Sequence, residues 1–307
     1  MTRPVRGLVY LLTLVFVCSV KAATSNTEKA VYHVPTQKSY ILWYRNYDSP
    51  AIYALVKLAM EKTPEYGPFS IQRSAEMVQG RALRELTRGG EGTQVLDIAA
   101  VATSVEREKE LGAVPIPIDG GLLGFRVCVV MKDQVDRFEG VEGIEDLRAR
   151  GLRIGQGLHW PDTTVLQVNG IDVISHSRYE TLFLMLKNRR FDCFARGVSE
   201  VIFDLELEDD PQLVIEPSLL ITYPMLSYFF VAPEDHDTAH RLQLGMERAI
   251  EDGSFGRFLD SYFGQALKNL NLSGRKILVL DNPYLSGDSM DVGRQALESL
   301  RTRIDAY

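Results

Sequence analysis

Two arginines stand just beyond apolar, strand-like runs, and they set the chemistry this sequence can do. Arg107 follows Asp97-Ile98-Ala99-Ala100-Val101-Ala102 across the short turn Thr103-Ser104, and Arg196 closes the run Phe191-Asp192-Cys193-Phe194-Ala195. A guanidinium offers a planar fork that grips a carboxylate through two parallel hydrogen bonds. Two of them facing one cleft would favour a ligand with two anionic groups, or one phosphate or dicarboxylate, with the Ser104 hydroxyl at the first strand end. Each has a plainer reading too. Arg107 lies in the charged run Glu106 to Glu110, where it would be solvent-exposed, and Arg196 has Glu200 four residues on as an ion-pair partner.

The stretch Gly155-Gln156-Gly157-Leu158-His159-Trp160-Pro161-Asp162-Thr163-Thr164 reads as a strand end, a loop and a helix start. Thr163 and Thr164 offer hydroxyls and backbone N–H groups to an anion there, and Trp160 either closes over a ligand or packs on the surface. Asp162 suits the first turn of a helix. Tyr47 and Asp48 follow another apolar run; an aromatic group beside a carboxylate suits a polar ligand with an apolar body, and turn chemistry accounts for Asp48 as well. Tyr223 and Tyr228 read as hinge packing. Signals for catalysis are thin. His-Glu-x-x-His, Cys-x-x-Cys and Walker-type phosphate loops are absent from the sequence. No catalytic residue, metal ligand or cofactor is expected.

The elements that must position these groups alternate. Ser39 to Arg45 is strand-like, Ser49-Pro50 supplies an N-cap and first helical residue, and Ala51 to Lys62 repeats apolar residues at helical spacing. A strand at Phe69 to Gln72, a helix from Gln79 to Arg88 and a strand from Val95 to Ala102 follow. This order predicts an α/β fold with a parallel sheet covered on both faces. After Gly120-Gly121 a long strand is expected over Leu122 to Met131. The alternation then restarts and runs to Glu216. Another strand, Leu226 to Ala232, precedes two helices and a tail with a strand-like run, Lys276 to Leu280, and a helix over Val292 to Ile304. Two α/β lobes with a hinged cleft are the expectation. Ligands of such sheets sit outside the carboxyl ends of strands, where the two arginines fall.

The chain has 307 residues, 45% apolar and 24% charged, with a formal net charge of −7. An acidic chain without a basic block is a poor binder of nucleic acid or anionic membranes. The first 22 residues read as a cleavable secretory leader: Arg3 and Arg6, an apolar run from Leu8 to Val20, then Val20-Lys21-Ala22. That run falls short of the roughly 20 residues of a membrane span. Cys128 and Cys193 remain after cleavage. They suit either a disulfide in an oxidising compartment or two buried thiols.

Over roughly residues 38 to 265 the order and several short motifs resemble the bacterial extracellular solute-binding proteins of the amino-acid type. Asp97 to Arg107 resembles that family's strand followed by Thr-x-Glu-Arg. Leu147 to Gly155 resembles the start of its second lobe. Arg189-Arg190-Phe191-Asp192-Cys193 is similar to its glycine-arginine, apolar, aspartate-alanine strand, and Asp252-Gly253-Ser254-Phe255 with Tyr262-Phe263-Gly264 is similar to its ending. The resemblance implies the type II periplasmic-binding fold, with a leader at 1–22, a first lobe of 23–124 and 222–307, and a second of 125–221. It implies a periplasmic, monomeric protein that closes on a small ligand and hands it to an importer or membrane sensor, and it places carboxylate clamping on Arg107. Where family members carry an aspartate for the ligand ammonium, this chain has Phe194-Ala195-Arg196-Gly197, which points to a carboxylate-bearing, anionic ligand. The same scaffold also carries periplasmic dehydratases, the alternative reading.

Overall fold

A computed structural model of the chain describes residues 37–89 and 95–283, with isolated positions between 285 and 298. The expected leader, and most of the helix expected over 292–304, lie outside the described residues. No described helix is long and apolar enough to cross a membrane.

The first half alternates as its periodicity requires: β1 (Lys38–Leu42), α1 (Tyr44–Asp48), α2 (Pro50–Glu61), β2 (Phe69–Arg73), α3 (Gln79–Thr87), β3 (Ala99–Ala102), α4 (Val105–Glu110) and β4 (Gly112–Val114). Ser49 caps α2, its hydroxyl accepting from Ile52 N at 3.4 Å, with Pro50 at the first helical position. The expected turn after β1 is instead the short helix α1. The second half comprises β5 (Phe125–Met131), α5 (Ile144–Ala149), β6 (Ile154–Gly157), α6 (Pro161–Val168), β7 (Val173–His176), α7 (Tyr179–Lys187), β8 (Cys193–Gly197), α8 (Val201–Glu208), β9 (Leu213–Ile215) and β10 (Leu219–Thr222). The chain returns through β11 (Ser227–Val231) and α9 (His236–Glu251), and β12 (Lys276–Val279) follows the last helices.

Two sheet systems result. β1 pairs in parallel with β2, a bridge from Leu42 to Ile98 leads toward β3, and β11 runs antiparallel between β3 and β4. The other sheet has the order β12-β10-β5-β8-β6-β7, with β9 also on β5. The long strand expected from Leu122 begins only at Phe125. Gly120 and Gly121 have φ of +65° and +90°, a left-handed turn that glycine adopts without steric cost, and Leu122–Gly124 forms a 3₁₀ turn. The tail also differs from expectation: β12 pairs in parallel with β10, so this part of 222–307 returns to the second sheet rather than staying with the first lobe.

Both faces of β5 are buried. Phe125, Val127 and Val129 join one apolar cluster, while Cys128 and Val130 join the other. Cys128 and Cys193 form a disulfide between β5 and β8, with Cα atoms 5.1 Å apart. In the first half Leu55, Val56, Ala59 and Met60 of α2 are buried against α9. A Cβ at Gly245 would lie 2.0 Å from the Ala59 carbonyl oxygen, so this close helix contact requires glycine.

Candidate functional site

A cavity of about 500 Å³ lies between the two sheets and takes walls from both. Its first-half wall is mostly neutral. Asn46 of α1 donates through Nδ2 to Ala100 O at 2.9 Å and accepts from Ala100 N at 2.8 Å, tying the helix to β3. Trp43 Nε1 donates to Met77 O at 3.0 Å, orienting the indole that precedes α1. Arg45 extends to the other half, its guanidinium carbon 3.5 Å from the Tyr179 ring centroid and its Nη1 3.6 Å from Glu180.

The second-half wall is dense in charge. Arg126, 2% exposed on β5, pairs with Asp162, and its Nη1 lies 3.4 Å from Glu200 Oε2. Tyr223 OH donates to the same Asp162 at 2.6 Å, a role beyond hinge packing. Arg196 Nε donates to Asp204 Oδ2 at 2.6 Å, and its Nη2 lies 3.2 Å from Glu200. Burial pulls both guanidinium pKa values down, and the neighbouring carboxylates reverse this, leaving both raised. Burial raises the Tyr179 and Tyr223 phenols well above their usual range, and Asp204 and Asp162 add to it. Among the described residues, the buried Arg126 Nε of this wall has no hydrogen-bond partner.

Asp119 sits where the sheets meet, on the turn leading to β5. It lines the cavity, accepts from Ser199 Oγ at 2.9 Å and from Gly121 N at 3.1 Å. Burial raises its pKa to about 6.

Of the residues singled out from sequence, Trp160 and Arg196 meet in the cavity wall, 4.9 Å from ring centroid to guanidinium carbon. Gly157 makes room for that indole, since a Cβ there would come within 2.5 Å of it. Arg107 is buried behind the wall. Its Nη2 donates to Gln79 Oε1 at 3.0 Å and to the His159 carbonyl at 2.6 Å, and its Nη1 donates to the Ala102 carbonyl. These acceptors are uncharged, and burial lowers its pKa to about 10 despite the opposing fields of Asp162 and Glu106. The His159 contact ties the first half to the second. Ser104 caps α4, accepting from Arg107 N at 3.3 Å. Thr163 Oγ1 donates to Gly157 O at 2.9 Å, and Thr164 is exposed. Tyr47 packs edge-to-face on Tyr53 at 5.1 Å, and Asp48 pairs with Arg73 at 2.7 Å on an outer groove. Ser104, Thr163, Thr164, Tyr47 and Asp48 do not line the cavity.

Arg126, Asp119, Tyr179 and Asp204 were missed. For Arg126 the signal was available: a lone cation inside the apolar run Phe125 to Met131, where a buried charge requires partners. Asp204 likewise interrupts an apolar helix.

No protein-family model matches the chain, and no curated protein matches it. Among solved structures it is similar to an amino acid ABC transporter substrate-binding protein of Streptococcus pneumoniae bound to L-arginine. That likeness has 13% identity over 74% of this chain and 95% of the other, with a TM-score of 0.54. An ancestral amino-acid-binding protein, a precursor of cyclohexadienyl dehydratase, is similar at 13% identity over 73% and 95%, with a TM-score of 0.53. A histidine kinase sensor domain with similarity to periplasmic binding proteins is similar at 12% identity over 75% and 97%, with a TM-score of 0.55. The chain therefore has the two-lobed α/β architecture of the type II periplasmic-binding fold.

Proposed function

We propose that a chain with this fold works as a solute-binding protein of the bacterial periplasm, taking a small, polar, carboxylate-bearing ligand into the cavity between its lobes. Hinge rotation about the crossover segments would close it, and a membrane importer or a membrane sensor would receive the closed form. The leader-like first 22 residues support export. The binding proteins and the sensor domain among its structural likenesses support the two kinds of partner.

The observation that carries the reading is the leftover donor. Arg126 Nε is a buried, charged group in the wall of a roughly 500 Å³ cavity and has no acceptor. A buried donor without a partner costs about 1–3 kcal/mol, which a ligand oxygen would relieve once a shift of the Arg126 side chain brings Nε, now sealed from solvent, to the cavity. Arg196 pairs with Asp204 and Glu200 and Arg126 with Asp162 and Glu200; the unpartnered Nε is what assigns the ligand to Arg126 on this reading, with Arg196 shaping the wall.

A thermal-shift screen over carboxylates, amino acids and phosphates tests it. Carboxylates are expected to raise Tm, and Arg126→Gln to weaken the best of them about tenfold, or about 1.4 kcal/mol. A screen in which nothing stabilises the protein, or an Arg126→Gln variant with undiminished affinity, overturns the reading.

One observation favours a second reading, a lyase: Asp119 faces the cavity with a pKa near 6, a value suited to a general acid. Conversion of a stabilising carboxylate during incubation would select it.

A further inference from the structure

We infer that the wall around Arg196 is a guanidinium-binding socket which the chain fills with its own side chain, making Arg196 a specificity-determining residue that shuts out soluble cations. The inference rests on the reading that this cavity is the solute site.

The Arg196 guanidinium carbon lies 4.9 Å from the Trp160 ring centroid and 5.3 Å from those of Tyr179 and Phe194. Trp160 and Phe194 are stacked, with planes 10° apart. Flat guanidinium groups are attracted to such ring faces. Around the edge, Nε and Nη2 meet Asp204 and Glu200 at 2.6 and 3.2 Å. Asp204 is itself oriented by the Tyr179 hydroxyl.

Cage and carboxylates come from separate elements: the loop before α6, α7, β8 and α8. They converge on a side chain that is 4% exposed. This is how a cation would be recognised if it were a free ligand, since carboxylates meeting separate edge nitrogens and rings beside the plane suit guanidinium better than ammonium. Arg196 is tethered to the strand, so its effective concentration is high and no solute displaces it. Its charge also satisfies the two carboxylates that would otherwise draw cations in. Exclusion by a built-in occupant is a form of specificity against the wrong ligand. With Arg196 in place the wall offers no empty guanidinium socket, and on the proposed reading carboxylates are the class admitted.

Arg196→Gly tests this, because it empties the socket and keeps the cage. In differential scanning fluorimetry, about 20 mM guanidinium, methylguanidinium or agmatine salt is expected to raise the variant's Tm by about 3–5 °C over equal sodium chloride, and the wild type by nothing. Arg196→Gly with Asp204→Asn is expected to lose the response. A folded Arg196→Gly variant that treats guanidinium and sodium alike overturns the inference, as does a double variant that still responds. So does calorimetric binding of agmatine to the wild type, which a filled socket forbids. If Arg196→Gly is recovered unfolded, its refolded yield with guanidinium against sodium reads the same site, and equal yields overturn it. The two readings fail separately. A wild type that binds no carboxylate sinks the solute-binding reading, while guanidinium rescue of Arg196→Gly still establishes the socket.

Discussion

The cavity's two walls are held by different physics. The first-half wall is positioned by neutral hydrogen bonds to backbone, with Asn46 fastening α1 to β3 and the Trp43 indole fastened to Met77 O. The second-half wall is positioned by buried ion pairs, and beside them a disulfide ties β5 to β8. Charged groups in a low-dielectric wall are costly to bring together and costly to separate. Neutral bonds to backbone fix geometry with little dependence on pH. Buried charge is thus concentrated in one wall of the cavity, while the other is fixed largely by uncharged groups.

The strongest way to break this asymmetry is to cut the staple on the charged side. Replacing Cys128 and Cys193 by alanine is expected to lower the unfolding free energy by about 4 kcal/mol for a loop of this length, read by urea denaturation. The loss sharpens the comparison if solute affinity falls with it.

Next comes the seam. Asp119 has a folded-state pKa raised to about 6, above its ordinary value near 3.9. The folded protein holds this proton more tightly than the unfolded chain does. Stability from this group is therefore present below about pH 4 and is lost as pH rises toward about 6, by about 2–3 kcal/mol in all. Asp119→Asn is expected to flatten that part of a Tm-against-pH profile, and an unchanged slope would separate Asp119 from it.

The smallest of these effects lies on the neutral wall. Asn46→Ala strips partners from Ala100 N and O, and is expected to cost about 1–2 kcal/mol. Its Tm loss should be the same at every pH from 5 to 8. A loss that varies with pH would mean that this wall is also governed by charge.

The sequence revealed alternation, order and punctuation. Ser49-Pro50 marked the start of α2 because capping is local, and Gly120-Gly121 marked the break before β5. Trp160 and Arg196 were legible as cavity-wall residues because each lies at or just beyond a strand's carboxyl end, where this architecture puts its clefts. Arg126 and Asp162, or Arg196 and Asp204, were not legible as pairs. The partners come from different strands and helices, and register across a sheet is set by tertiary packing. The fate of Arg107 was hidden for the same reason, since its acceptors are a side chain and carbonyls from three separate segments. The tail's return as β12 was equally invisible, because a short apolar run carries no record of which sheet edge it will meet.

The chain contains only two tryptophans, Trp43 and Trp160, and both indoles stand in the cavity, one from each wall. Ultraviolet emission from this protein is thus a native, two-sided reporter. Trp43→Phe leaves a probe beside the Arg196 guanidinium, and Trp160→Phe leaves one on the first-half wall. Steady-state and stopped-flow spectra of the two variants can then follow each wall separately when a candidate carboxylate is added, without any attached dye.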